Sequence, residues 1–333
     1  MSRSKWSHHK AHADLLSYVF DFIEADGDDY LLIDETAFPK KGTKSAGVSR
    51  QYCGSTGKKE NCQVGVFMAY VTAKGETLID RELYLPKQWT DDPQRCQQAG
   101  VPQERTFLTK PQLATMMLER MRKTRQAAWV SADCVYGNSK AFCHKLELMR
   151  QQYTVGVTIN RTFQRKDGSK LQLQKCLDSL SSEDWLWLDL GQGSKGAYED
   201  KWFSVDLEDP EDEAFERKVL FRKRSDDVRL YVVYCRKGCS LERMARSVHV
   251  RWKIEECFRI AKQRCGLKDY ELRNWQGWYR HTILSLCALA FLKKLQFLHI
   301  LKEKKTPPNP VKGSLNDFRK SRGLASFPSQ PQN

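Results

Sequence analysis

Leu15, Leu16, Val19, Phe20 and Ile23 recur at the three- and four-residue intervals that build one face of an α-helix, which predicts a helix along "DLLSYVFDFIEA". The pattern then changes. "YLLID" (Tyr30–Asp34) is a short, unbroken apolar run that stops at a carboxylate and predicts a buried strand. "CQVGVFMAYVT" and "TLIDRELYLP" predict two more, and hairpin-like links make the three an antiparallel meander. Between the first two lies "PKKGTKSAGVSRQYCGSTGKKEN", which reads as a basic, glycine-containing loop. A long connection punctuated by prolines follows the third.

Helical spacing returns in "LATMMLERMRKTRQ" (Leu113–Gln126), and "AAWVSAD" (Ala127–Asp133) is a second apolar run ending at a carboxylate. A turn at "YGN", a helix "SKAFCHKLELMRQQ" and a strand "YTVGVTI" (Tyr153–Ile159) complete a parallel strand–helix–strand unit. Residues 160–247 are more polar, with strands at "RKVLFRK" and "VRLYVVYC", and read as a β-rich insertion. "VRWKIEECFRIAKQRCGL" (Val250–Leu267) predicts a helix with Ile254, Phe258, Ala261 and Cys265 on its apolar face. Arg251, Glu255 and Lys262 stack along the edge of that face. Taken alone, such an edge is a solvated ion pair worth a few tenths of a kcal/mol. The expected boundaries are 1–28 (helical leader), 29–159 (first part of the core), 160–247 (insertion), 248–302 (C-terminal core helices) and 303–333 (disordered tail).

Charge narrows the possible partners. Lys and Arg number 56 against 41 Asp and Glu, a net charge of +15 spread along the chain, which fits a folded surface that meets a polyanion such as nucleic acid. A membrane is not expected, because the longest apolar run, "ILSLCALAFL" (Ile283–Leu292), falls short of the roughly 20 residues that span a bilayer. The N-terminus also lacks the apolar stretch of a secretory signal. Eleven cysteines, an odd number without a CxxC pair, read as reduced thiols of a cytosolic protein and not as zinc ligands. His8, His9 and His12 read as part of a frayed polar terminus.

Two apolar runs end in an aspartate, Asp34 and Asp133, and a polar helical edge carries Glu255. Singly, each acid is an ordinary turn or capping residue. Gathered around one cleft, three carboxylates repel each other unless a hard cation neutralises them, and Mg²⁺ suits an all-oxygen site. Two such ions activate a nucleophile and stabilise the leaving oxygen in phosphodiester displacement. Arg251 and Lys262 would then hold phosphates beside the metals. Glu35 and Glu256 read as bystanders on neighbouring faces. Lys40, Lys41, Lys44, Arg50, Lys58 and Lys59 form a dense basic set after Asp34, suited to DNA-backbone contacts that position without reading sequence. Neither "KKGTK" nor "GSTGKK" meets the Walker spacing. Trp185, Trp187 and Trp202 either stack on an unpaired base or fill the core of the insertion, and Trp275, Trp278 and Tyr279 read as packing residues.

"LLIDETAFPKKGTKSAGVSRQYCG", "LYLPKQWTDDP", "SADCVYGN" and "RWKIEECFRIAKQRCGLKDYELRNWQGWYRH", in this order, resemble the DDE transposases of bacterial insertion sequences. The resemblance is to the branch with an Arg-x3-Glu-x6-Lys signature, met here by Arg251, Glu255 and Lys262, and it runs from about Tyr30 to Leu292. It implies an α/β fold: an RNase H-like mixed sheet flanked by helices, with the β-rich insertion between the second and third catalytic acids. It also implies Asp34, Asp133 and Glu255 as catalytic, metal-holding acids, with Mg²⁺ as cofactor and Mn²⁺ as substitute. The implied activity is cleavage of double-stranded DNA at terminal inverted repeats and strand transfer to target DNA. A homodimer on paired ends and a cytoplasmic, nucleoid-associated location follow from the same resemblance. The sequence departs from the pattern at Val248, where the signature has a tyrosine, and at Cys134 and Val135, where relatives carry small residues. Residues 1–28 read as a shortened end-binding region. The alternatives are a DNA-binding remnant that no longer transposes, or an RNase H-like nuclease without a joining step.

Overall fold

The computed structural model describes residues 5–54, 56–193, 196–197 and 200–305. The tail expected over 303–333 lies almost wholly outside the described residues. The chain as far as Leu295 forms one compact unit. It opens with α1 (His8–Phe22), whose N-cap Ser7 accepts from the Lys10 N–H and whose Leu15, Leu16, Val19 and Phe22 are buried. Four strands follow: β1 (Tyr30–Pro39), β2 (Ser49–Cys53), β3 (Lys58–Thr72) and β4 (Gly75–Tyr84). Two short helices, α2 (Lys87–Thr90) and α3 (Pro93–Gln98), punctuate the long connection. Thr109 and Gln112 then form a capping box that starts α4 (Lys110–Arg122).

β5 (Trp129–Ala132), α5 (Cys134–Gly137), α6 (Lys140–Leu148) and β6 (Tyr153–Val157) make the expected parallel unit. The insertion contributes β7 (Thr162–Gln164), β8 (Lys170–Gln172), α7 (Leu173–Asp178), β9 (Leu186–Trp187), β10 (Gln192–Gly193) and β11 (Gly196–Ala197). It continues with β12 (Lys201–Asp206), β13 (Phe215–Arg224) and β14 (Asp227–Arg236). Three helices close the described chain: α8 (Leu241–His249), α9 (Trp252–Arg264) and α10 (Trp275–Lys305).

The main sheet runs β2-β3-β1-β5-β6-β14-β13-β12-β9, with β4 also paired to β3. Its heart, β4-β3-β1-β5-β6, is antiparallel up to β1 and parallel from β1 to β6. This is the mixed, helix-flanked sheet that an RNase H-like fold requires. β14 pairs antiparallel with β6, so the insertion extends the same sheet instead of forming a layer of its own.

Two expectations need correcting. β1 does not stop at Asp34 but runs on to Pro39, because its antiparallel neighbour β3 keeps pairing through Glu35–Pro39 after β5 has ended. The segment between β1 and β3 is not all loop, since Ser49–Cys53 forms β2 against the start of β3.

α9 lies across β1, β3 and β4 and buries Ile254, Cys257, Phe258 and Ala261. Cys257, not Cys265, completes the buried stripe. Phe258 meets Phe67 of β3 edge to face at 5.5 Å between ring centres, and burying a ring of this size stabilises by about 1.5–3 kcal/mol. Trp275, Trp278 and Tyr279 are buried packing residues, as expected. The apolar run read as too short for a bilayer lies within a longer helical segment, Trp275–Lys302, which holds an 18-residue stretch long and apolar enough, by length and composition alone, to cross a membrane. In that segment Trp278, Ile283, Leu286, Leu289 and Ala290 belong to the core. None of the eleven cysteines is joined in a disulfide.

Candidate active site

Strand register brings the first two acids together. In the parallel β1–β5 ladder Ile33 is paired with Ala132, and the next residue on each strand is an aspartate, Asp34 and Asp133. Neighbouring strands lie about 4.8 Å apart. β5 stops at this point. Asp133 becomes the N-cap of α5, its Oδ1 accepting from the Val135 N–H at 2.9 Å. The short helix needs no left-handed residue, so Cys134 and Val135 are accommodated in it. α5 rests directly on β6: a Cβ on Gly137 would stand 1.9 Å from the Gly156 carbonyl oxygen.

Glu35 belongs to the same constellation and is not a bystander. One ligand oxygen from each of Asp34, Glu35 and Asp133 lies within 4.8 Å of the other two. Strand alternation sends Asp34 and Glu35 to opposite faces. Because β5 has ended beside them, no strand separates the two faces there, and the longer glutamate comes within this distance of the aspartates. Glu35 is held on both oxygens, Oε1 by Lys110 Nζ at 2.7 Å and Oε2 by the Tyr136 hydroxyl at 3.0 Å. The signal in the sequence was its place directly after Asp34. What could not be read was how early β5 ends.

Glu255 lies on α9 outside this cluster, and its side chain is 60 % exposed. Arg251, at the joint between α8 and α9, links the two: Nη1 donates to Asp34 Oδ2 and Nη2 to Glu255 Oε1, each at 3.0 Å. Glu256 turns away to pair with Arg259. Val248 is buried in the core. Lys262 lies 6.0 Å from the centre of the Phe38 ring and has no carboxylate partner among the described residues.

The electrostatics are those of anions held together. Burial, with Asp133 and Glu35 adding to it against the pull of Arg251, pushes the Asp34 carboxyl up to about 7. Asp133 is also raised, first by burial and then by Glu35. Burial works against charge on Arg251, but Asp34, Glu255 and Asp133 outweigh it and hold the guanidinium above its ordinary value. Excess negative charge and an all-oxygen donor set fit a hard divalent cation.

The basic set clusters at the far end of β1. Lys40, Lys41, Arg50, Lys58 and Lys59 line a groove of about 690 Å³ together with Pro39, Glu60 and Asn61. Pro39 is five residues beyond Asp34 on the strand, about 17 Å away at ~3.4 Å per residue. Lys40 reaches back to the Tyr270 carbonyl and ring, Lys58 pairs with Glu60 at 3.3 Å, and Lys44 is exposed outside the groove. Of the insertion tryptophans, Trp202 is fully buried and Trp187 is 56 % exposed. Trp185 packs against the core beside Phe203, with Lys223 over its ring. Trp187 sits on β9, five strands from β5, about 24 Å at ~4.8 Å per strand.

Two family comparisons agree with this arrangement. Residues 1–172 match the family described as DDE superfamily endonuclease, and residues 109–291 match the transposase DDE domain. The chain belongs to the DDE superfamily of endonucleases, in its transposase branch. A curated relative, the probable transposase for insertion sequence element IS701 of Microchaete diplosiphon, is 28 % identical over 174 residues, which make up 50 % of this chain and 43 % of the relative. The chain thus matches less than half the length of that relative. Membership in the DDE family implies use of a divalent metal, and the acidic cluster on β1 and β5 fits one.

Proposed function

We propose that the protein is a Mg²⁺-dependent DDE transposase that cleaves double-stranded DNA at the terminal inverted repeats of an insertion sequence and transfers the freed ends to target DNA. The observation that carries this reading is the register of Ile33 against Ala132, which sets Asp34 and Asp133 side by side at the end of β5. Asp34 and Asp133 would hold the metal, and Glu255 would complete the site from α9. Bound there, Mg²⁺ would activate the attacking oxygen and stabilise the leaving one, with Mn²⁺ able to replace it.

The remaining steps rest on the chain's own groups. Arg251 and Lys262 sit along one edge of α9 and would take the phosphates next to the scissile bond, Arg251 through its planar fork. The groove around Lys41, Arg50, Lys58 and Lys59, with Lys40 and Lys44 near it, would hold the duplex backbone on one side of the acids. Burial of the acids limits water at the reacting phosphate and strengthens every charge interaction there. Action on paired ends as a homodimer, and a cytoplasmic, nucleoid-associated location, follow the family's habit and belong to the same proposal.

The test is nicking of DNA that carries the repeats flanking the gene, with Mg²⁺, by the full chain and by Asp133→Ala. Nicks at the repeat boundary that vanish in the variant are expected. Retained salt-sensitive DNA binding without any nicking would instead mark a remnant that holds DNA and no longer cuts it. Nicking without joined products would mark a nuclease that lacks the transfer step.

A further inference from the structure

Arg251 occupies an unusual position for a phosphate ligand. Its two terminal nitrogens are spent on two different carboxylates, Asp34 and Glu255, at 3.0 Å each. The other Asp34 oxygen accepts from the Glu35 N–H at 2.8 Å, so both oxygens of this acid are engaged. The Arg251 side chain is only 28 % exposed, and that of Asp34 16 %. Glu255 meanwhile stands outside the 4.8 Å cluster of Asp34, Glu35 and Asp133.

We propose that Arg251 is an internal counter-cation that stands in the site until a phosphodiester draws it away. The inference rests on the reading of this cluster as the metal site. A divalent ion among the carboxylates and a guanidinium bonded to Asp34 would be like charges within a few ångströms, in a half-buried setting where repulsion is poorly screened. One of them has to yield. A DNA phosphate offers Arg251 a bidentate partner that matches its planar fork. When the guanidinium turns to that phosphate, Asp34 Oδ2 is released to the cation and Glu255 loses the contact that holds it apart. Phosphate and cation then favour each other's binding, and by linkage the coupling is reciprocal. Arg251 acts here as a positioning residue. Lys262, without a carboxylate partner among the described residues, is available to the same backbone from the outset.

The coupling is measured without catalysis. Mn²⁺ binding to the full-length protein is followed by the EPR signal of the free ion, in the absence of DNA. Wild type, Arg251→Gln, Arg251→Lys and Asp133→Asn are compared after circular dichroism has shown that each is folded. Each titration is repeated with dimethyl phosphate, the simplest phosphodiester. Arg251→Gln is expected to bind Mn²⁺ more tightly than wild type by roughly 5- to 150-fold, the usual range of coupling between sites. Arg251→Lys should also gain, because a single ammonium cannot span both carboxylates. Dimethyl phosphate should tighten Mn²⁺ binding in wild type and not in Arg251→Gln.

Unchanged or weaker Mn²⁺ binding in Arg251→Gln, with binding lost in Asp133→Asn, overturns this inference and leaves the proposed function standing. Wild-type affinity in Arg251→Lys beside a gain in Arg251→Gln overturns the bridge in favour of charge alone. An equal effect of dimethyl phosphate on wild type and Arg251→Gln removes Arg251 from the coupling. Wild-type Mn²⁺ binding in Asp133→Asn means that the ion is held elsewhere, and the reading of the site itself fails.

Discussion

Gly137 and Gly156 meet too closely for a side chain on Gly137: a Cβ there would lie 1.9 Å from the Gly156 carbonyl oxygen, while one on Gly156 would lie a tight 3.0 Å from the Cys134 nitrogen. This contact seats α5 on β6 and so fixes Asp133, the first residue before the helix. Gly137→Ala is expected to destabilise the protein by roughly 1–3 kcal/mol, as overpacking does. It should also weaken Mn²⁺ binding by moving Asp133. Thermal melting and metal titration of the same sample check both, and an unchanged melt would show that the backbone yields at no expense.

Asp34→Asn should set stability against function. A carboxyl raised from 3.8 to about 7 keeps a proton in the fold that the unfolded chain has already released. Wild type therefore loses stability as pH rises from about 4 to about 7, and the loss is complete above that window. The metal-free variant should melt above wild type at pH 8, with the gap closing toward pH 4. A gap of the same size at both pH values would place its cause outside Asp34 ionisation.

Glu35 is tied by Lys110 at 2.7 Å and by Tyr136 at 3.0 Å while lying among the acids. Glu35→Gln keeps the shape and removes the charge. Mn²⁺ affinity is expected to fall about 10- to 100-fold, the usual consequence of altering groups that orient metal ligands. Tyr136→Phe, which removes one of the two ties, should cause a smaller loss. Equal affinity in wild type and Glu35→Gln would return Glu35 to a purely structural part.

Lys41, Arg50 and Lys59 line the groove without an ion-pair partner among the described residues. If they contact DNA phosphates, each change to alanine should weaken binding for all sequences alike. Each should also reduce the slope of log affinity against log salt by about 0.9. Fluorescence anisotropy over a range of salt reads the slope directly, and parallel slopes for wild type and a triple variant would take the groove out of the DNA path.

The aspartates could be found in the sequence because each follows an apolar run, and the pattern of such runs is a local property of the chain. The order of the meander and the parallel unit were also legible, since hairpin links and an intervening helix decide antiparallel or parallel pairing. Glu35 was not. Its part depends on β5 ending after Ala132 while β3 runs on beside β1, a difference in strand lengths that no single segment records. Nor could the sequence show Arg251 bridging Asp34 and Glu255, because 217 positions separate Arg251 from Asp34. The one-sheet arrangement of the insertion was hidden for the same reason: β14 and β6 are joined through 230–234 and 153–157, far apart in the chain.

That pairing has a consequence for the order in which the protein is made. Chains emerge from the ribosome N-terminus first and their domains fold as units. Asp34 and Asp133 can meet once β1, β5 and β6 have been synthesised. The helix with Arg251 and Glu255 comes only after the long excursion that ends in β14, the strand that pairs with β6. The half-made protein thus holds the cluster of Asp34, Glu35 and Asp133 without Arg251 or Glu255. On the proposed function, competence to break DNA arrives as one of the last events of its birth.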